Sequence, residues 1–343
     1  MEEGKNHVSV EKTEASPALR EFSPLAQCRA SNLLQRKLTE KVSDPTQIDF
    51  NGDRTIESIG FRLFIKGYSE LAKTNDPLEL VKKSVIPPTV AMLLDCLMIV
   101  ATTEGLKETL VMLSLKKYMA MRGLTDKKAT RKQLRLDISV LEQISFEYQR
   151  KNNTSWLKVY IAGETSKITN EGIIFRFSED FFNVFKEYNA YSFMYFPHES
   201  FRIKPNINPY AYWFLRKISE HKRMNLGEPN EDVISVKTLI EACPNYPTYE
   251  DVKKSNRAIT KRLIAPFVRD MERLEQIFSW EYNSDGRPQK YMEFMATTIK
   301  IHWKNYPDTP EIRKLIARKK ARKENLIMDR KKRKKKGVGA VSG

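Results

Sequence analysis

Residues 253–286 read KKSNRAITKRLIAPFVRDMERLEQIFSWEYNSDG, and the fold of the chain turns on them. Ile259, Leu263, Phe267, Met271, Leu274 and Ile277 recur every three or four residues, so one face of a helix is apolar. The other face carries Lys261, Arg262, Ala265, Arg269 and Arg273, preceded by Arg257 and Ala258. Five bases and no acids fall between 253 and 262, whereas Asp270, Glu272 and Glu275 come later. The helix dipole favours the opposite order, acids first and bases last, so helix stability did not place these bases. A helix whose N-terminal half enters a DNA groove needs bases and small residues there, with acids where it has left the groove. Pro266 removes one backbone donor and predicts a bend. The helix is followed by FSWEY, an Asp285, Gly286 turn signal and the alternating residues Ile299, Ile301 and Trp303, a β-hairpin pattern.

Upstream of this stretch the chain reads as helix PYAYWFLRKISEHKRMN, turn LGEPNED, a leading strand at 234–236, then the helical pieces ISVKTLIEACP and PTYEDVKKS. Several helices followed by a two-stranded hairpin is the order of a winged helix. The same order occurs earlier. Residues 87–148 read as three helices, with Pro87 and Pro88 suiting a start and Gly105 and Gly123 suiting stops. WLKVYIAG and GIIFRFS then alternate apolar and polar residues and read as a hairpin, followed by the helix SEDFFNVFKEY with Ser178 as its cap. On the third helix of this first unit Lys128, Lys132, Arg135, Ser139 and Gln143 share one side, and Leu134, Ile138 and Leu141 the other. The hairpin tips carry Lys167, Thr169 and Asn170 in one unit, and Arg287, Gln289 and Lys290 in the other, chemistry suited to phosphate or the minor groove.

The expected fold is therefore α+β and mainly helical, with two winged-helix domains in tandem. Residues 1–55 are expected to be mostly disordered, with a short helix around 30–38. Residues 56–195 form the first domain, 196–310 the second and 311–343 a basic tail.

The net charge of +17 over 343 residues points to an acidic partner, but it is unevenly spread. Residues 313–336 hold fourteen Lys or Arg against Glu324 and Asp329, leaving only about +5 for the rest. The KKRKKKG run would add salt-dependent, sequence-independent affinity through counterion release.

Catalytic and metal motifs are missing. There is no GxxxxGK[ST], the four histidines do not share ligand spacing, and Cys28, Cys96 and Cys243 form neither a CxxC nor a disulfide framework. The paired histidines of a rolling-circle nickase and the HxxR box of a tyrosine recombinase are absent. No signal-peptide pattern opens the chain. The longest apolar run, VAMLLDCLMIV at 90–100, is short for a bilayer and carries Asp95. These features predict a cytoplasmic binding protein, not an enzyme, with no cofactor, metal or membrane.

Residues 175–308 resemble the initiator proteins of theta-replicating plasmids and related mobile elements of Firmicutes. The stretches that carry this are FRFSEDFFNVFKEY, YFPHESFRIKPNINPYAYWFLRKISEHKRMN, the run from ISVKTLIEACP through FSWEY, and IHWKNYPD. The resemblance implies tandem winged helices, with the second making the main contacts to origin repeats and the first contributing to dimerisation and DNA binding. It also implies that a helix with an apolar-x-x-Pro segment, here 263–267 following Tyr249, enters the major groove. On that reading Arg257, Lys261 and Arg262 read bases, with Asn256 and Thr260 as further hydrogen-bonding groups. Lys253, Lys254, the first-unit bases Lys128, Lys132 and Arg135, and the wing residues Arg287 and Lys290 hold phosphates. The implied partners are double-stranded DNA, host replication proteins such as a helicase or initiator, and a second copy in a homodimer. A transcriptional regulator or autorepressor of a mobile element would use the same folds.

Overall fold

Alternating strands and amphipathic helices each have one apolar face to bury, and here they bury it in a single continuous core. The computed structural model describes residues 34, 36–37, 45–58, 61–74, 86–103, 107–149, 156–164, 166–189, 196–254, 259–283, 286, 288, 290–308 and 310–338.

In the first unit the order is α2 (Pro88–Thr103), β3 (Leu110–Ser114), α3 (Leu115–Arg122), α4 (Lys127–Glu142), β4 (Ile144–Gln149), β5 (Trp156–Tyr160), β6 (Lys167–Ile168) and β7 (Gly172–Arg176). Ahead of it lie β1 (Arg54–Ser58), β2 (Phe61–Ile65) and the short α1 (Tyr68–Ala72); α5 (Glu179–Asn189) follows. The winged-helix sheet is antiparallel in the order β3-β7-β6, with Leu110 opposite Arg176 and Ser114 opposite Gly172. Gly172 is required by that pairing, because a Cβ there would come within 2.3 Å of the Leu113 carbonyl oxygen. Ser178 does cap α5, its hydroxyl accepting from the Phe181 N–H at 3.1 Å.

Two expectations for this unit fail. Residues 110–114 and 144–149 are strands, although both fall in segments expected to be helical. ISFEY places Ile144, Phe146 and Tyr148 on one side at period two, and all three are buried. Nor do WLKVYIAG and GIIFRFS form the hairpin. β5 pairs with β4, which pairs with β2 and then β1 in a separate four-stranded sheet; an isolated bridge, Ala162 to Phe177, and the Ser178 hydroxyl donating to the Tyr160 carbonyl join the two segments. Alternation identifies the strands but does not encode their partners.

The second unit runs α6 (Ala211–Asn225), β8 (Val233–Ser235), α7 (Val236–Ala242), α8 (Tyr249–Lys254), a π-helical turn (Thr260–Ile264) continuing into α9 (Ala265–Glu272), β9 (Phe278–Tyr282), α10 (Tyr291–Ala296) and β10 (Thr298–Trp303). Its sheet order, β8-β10-β9, repeats that of the first unit: the strand before the second helix pairs with the last strand, which pairs with the one before it. The fold is thus α+β with two winged helices in tandem. The hairpin of the second unit is interrupted by α10, an element that the sequence pattern does not announce.

Most of 1–55, expected to be disordered, lies outside the described residues. Of the remainder, Leu34, Arg36 and Lys37 are helical, Leu34 is fully buried, and Arg54 already belongs to β1. The tail is a helix, α11 (Pro310–Val338), continuing through the lysine-rich run. Ala, Leu, Met, Glu, Arg and Lys, which fill it, all have high helix propensity.

Candidate nucleic-acid interface

The helix formed by the π turn and α9 of the second unit, the counterpart of α4 and called its third helix because the short α8 precedes it as an extra turn, is held from behind by aromatic packing. Leu263, Ile264, Phe267 and Met271 are buried. The Phe267 ring meets Phe214 of α6 at 5.1 Å, Phe294 of α10 at 5.3 Å and Trp280 of β9 at 6.0 Å. The helix, the hairpin and its inserted α10 are therefore packed against one another through this ring.

Immediately before Pro266 the helix makes a π-helical turn, in which the Ala265 N–H reaches back to the Thr260 carbonyl. Loosening the ladder leaves carbonyls short of donors, and the buried Tyr246 hydroxyl donates to one of them, that of Leu263. Burial pushes the Tyr246 phenol well above its ordinary range, so it remains a donor.

Asp270 is not on the outer face with Glu272. It is fully buried, accepting from the backbone N–H groups of Tyr210 at 2.7 Å and Ala211 at 3.1 Å at the start of α6. It also accepts from Asn208 at 3.3 Å and from the Arg269 Nε at 2.7 Å. A carboxylate at a helix N-terminus satisfies free donors and opposes the dipole. This pins the third helix to the first.

What remains outward on this helix is Thr260, Lys261, Arg262, Ala265, Glu272 and Arg273, with Arg269 half-exposed and spent on Asp270. Lys261 and Arg262 form no ion pair with any described residue. Nearby, Tyr249 of α8 stacks on Tyr291 of α10 at 4.6 Å, and the exposed Lys253 ammonium sits 5.8 Å above the Tyr249 ring. Lys290 is exposed at the start of α10 and pairs loosely with Glu293 at 3.7 Å. Asn256, Arg257 and Arg287, and the side chain of Lys254, lie outside the described residues.

In the first unit α4 occupies the equivalent place. Its N-terminus is capped by the Asp126 carboxylate, which accepts from the Ala129 N–H at 2.9 Å. Leu134, Ile138 and Leu141 face the core, whereas Lys128, Lys132, Arg135 and Gln143 are exposed and Ser139 half-exposed, as the spacing predicts. Lys128, Lys132 and Arg135 form no ion pair with a described residue. Arg131, not singled out from the sequence, donates to the Asn170 carbonyl at 2.9 Å and ties α4 to the wing tip. On the opposite side Asp137 is buried and accepts from Thr89 at 2.9 Å and Gln133 at 2.8 Å. Desolvation pushes its carboxyl up to about 6, the hydrogen bonds opposing the rise.

The two units meet through α2 and α6. Asp95, fully buried in α2, accepts from the Tyr212 hydroxyl and the Arg216 guanidinium of α6. Beside them Arg122 of α3 donates to the Phe201 carbonyl at 2.9 Å.

The tail helix begins as part of the body. Ile312 is buried, and Ile316 packs so close to Gly227, at φ +81°, that a Cβ there would meet it at 3.2 Å. Lys319 donates to the Met224 and Arg223 carbonyls at the end of α6, at 2.5 and 3.3 Å, and Lys323 pairs with Glu228 at 2.9 Å. A cation there completes the α6 C-terminus.

No protein-family profile and no curated protein sequence matches the chain. Among solved structures, a selenomethionine derivative of domains 2 and 3 of RctB aligns at a TM-score of 0.45 and 10% identity, covering 79% of this chain and 98% of that one. A second structure of RctB domains 2–3 aligns at 0.39 and 10% identity, covering 79% and 96%. The winged-helix assignment rests on this chain's own strand order and register. Among the described residues, no three His, Cys, Asp or Glu side chains cluster as a metal site would need, and no helix is long and apolar enough to cross a membrane.

Proposed function

We propose that this chain is a sequence-specific, non-catalytic binder of double-stranded DNA that initiates replication. It would bind repeats at the origin of a plasmid or mobile element, aid opening of adjacent AT-rich DNA and recruit host helicase or initiator. The observation that supports this most directly is the repeated arrangement of cations that pair with no described residue on the outward face of each winged helix's third helix. They are Lys128, Lys132 and Arg135 in the first unit, and Lys261 and Arg262 in the second. Cations that pair with no described residue and lie beside a hairpin are available to phosphates and to guanine edges in a major groove. The lysine-rich end of α11 adds non-specific affinity.

The test is to select duplexes from a random pool with the full chain, footprint the enriched sequence in the DNA flanking the gene, and ask whether gene plus flank sustain a plasmid lacking another initiator. Repeats protected at intervals of one or two helical turns, together with autonomous replication, are expected. Protection confined to its own promoter without replication would identify a transcriptional regulator instead. Covalent attachment to DNA would identify a nickase or recombinase.

A further inference from the structure

The outward face of α4 contains one residue that does not suit a solvated basic face. Leu136 is 51% exposed, although leucine is costly to leave in water. Single exposed leucines are common on protein surfaces, so exposure alone means little. Its position carries the inference. Helical spacing sets it one turn from both Lys132 and Ser139, with Arg135 adjacent, on the flank of the stripe running from Lys128 to Gln143 and beside the exposed Ala129. The corresponding helix of the second unit has no such residue: its exposed positions from 260 to 273 are Thr260, Lys261, Arg262, Ala265, Arg269, Glu272 and Arg273. Among the described residues the two helices therefore present different chemistry, one polar with an alanine, the other polar with an apolar flank of Ala129 and Leu136.

In the major groove the apolar group is the C5-methyl of thymine. We infer that α4 reads an A·T-containing segment, with Leu136 packed on a thymine methyl while Lys132 and Arg135 hold the flanking phosphates. This rests on the reading of α4 as a groove-entering helix. It assigns the two units different targets, a thymine-bearing segment for the first and a hydrogen-bonded readout for the second. Each half of the binding site would then be recognisable from its base composition.

The experiment uses the full chain and the duplex it enriches from a random pool, with each thymine replaced singly by uracil, which removes only the methyl group. At one or two positions in one segment, uracil should weaken wild-type binding by roughly three- to fivefold, the worth of about one buried methyl. Leu136→Ala should weaken binding to thymine DNA by a similar factor and show no further loss on uracil DNA at those positions. Because Leu136 is on the surface, the variant should keep the wild-type melting temperature. Independent, multiplicative losses, or no position sensitive to uracil, would overturn the inference. Lys132→Ala and Arg135→Ala separate the two levels. If they weaken binding while Leu136→Ala is uncoupled from uracil, only the methyl contact falls. If neither weakens binding, or no duplex is enriched, the groove-entering reading of α4 falls with it.

Discussion

Asp137 and Asp270 both sit in third helices among charged neighbours, and both are buried for structural reasons. Asp270 accepts two backbone N–H bonds at the start of α6, so the polar pattern of 269–275 conceals a core position. Asp137 has a consequence for pH. Its folded carboxyl titrates at about 6, whereas an exposed aspartate titrates near 3.9. Between those values the folded chain binds more protons than the unfolded one, so this group's contribution to stability falls as pH rises from about 4 to 6. Asp137→Asn should abolish that loss while keeping an amide oxygen for Thr89 and Gln133. In urea titrations the variant should gain on wild type by about 1–3 kcal/mol between pH 4 and 7. A difference that stays flat across that range would refute it. Neither role is visible in the sequence, because an aspartate among lysines reads as surface until the fold places a helix start or a threonine beside it.

At the level of elements, the third helix of the second unit has the apolar face that its three- and four-residue spacing predicts, and a π turn precedes Pro266. That the Tyr246 hydroxyl satisfies a carbonyl of this π turn depends on a residue well outside the helix. Replacing Lys261 or Arg262 by Ala should leave the melting temperature unchanged and cost about 1–3 kcal/mol of specific DNA binding. Anisotropy titrations against the enriched duplex would measure it, and unaltered affinity for both variants would show that this face does not read DNA. The tail divides into two parts. Its first turns pack on Gly227 and cap α6 through Lys319, so truncation before that point would damage the fold as well as remove charge. Ending the chain after Glu324 instead removes the seven cations of 330–336. Melting should be unchanged, and specific and non-specific affinity should both fall. The salt slope should flatten by about one for each phosphate that the run would otherwise neutralise. A slope equal to that of the intact chain would mean that the run does not touch DNA.

Across the whole molecule, the Asp95–Arg216–Tyr212 cluster joins the two winged helices inside one core. Asp95 interrupts an otherwise apolar run, and in the sequence it serves only to argue against a membrane span. In the fold it neutralises a buried guanidinium from the other unit. Breaking a buried pair strands a charge, so Asp95→Ala should cost about 3–5 kcal/mol. Replacing both partners, Asp95→Leu with Arg216→Met, should restore much of that stability. Chemical denaturation of the single and double variants would check it, and a double variant as unstable as the two single effects summed would argue against coupling.

The sequence by itself determined the helices with long apolar stripes, the order of the second winged helix, the outward bases of both third helices and the concentration of charge in the tail. These follow from local periodicity and composition, which neighbouring residues carry. Only the tertiary structure decided that β5 belongs with β4, β2 and β1 and not with β7, that 110–114 and 144–149 are strands, and that α10 interrupts the second hairpin. It likewise decided which carboxylates are interior. A strand's alternation specifies which side is buried but leaves its partner open, and a short apolar run next to a helix is compatible with either period. Partner choice and the burial of a charge depend on groups far apart along the chain that folding brings together, as it brings Thr89 to Asp137 and Asp95 to Arg216.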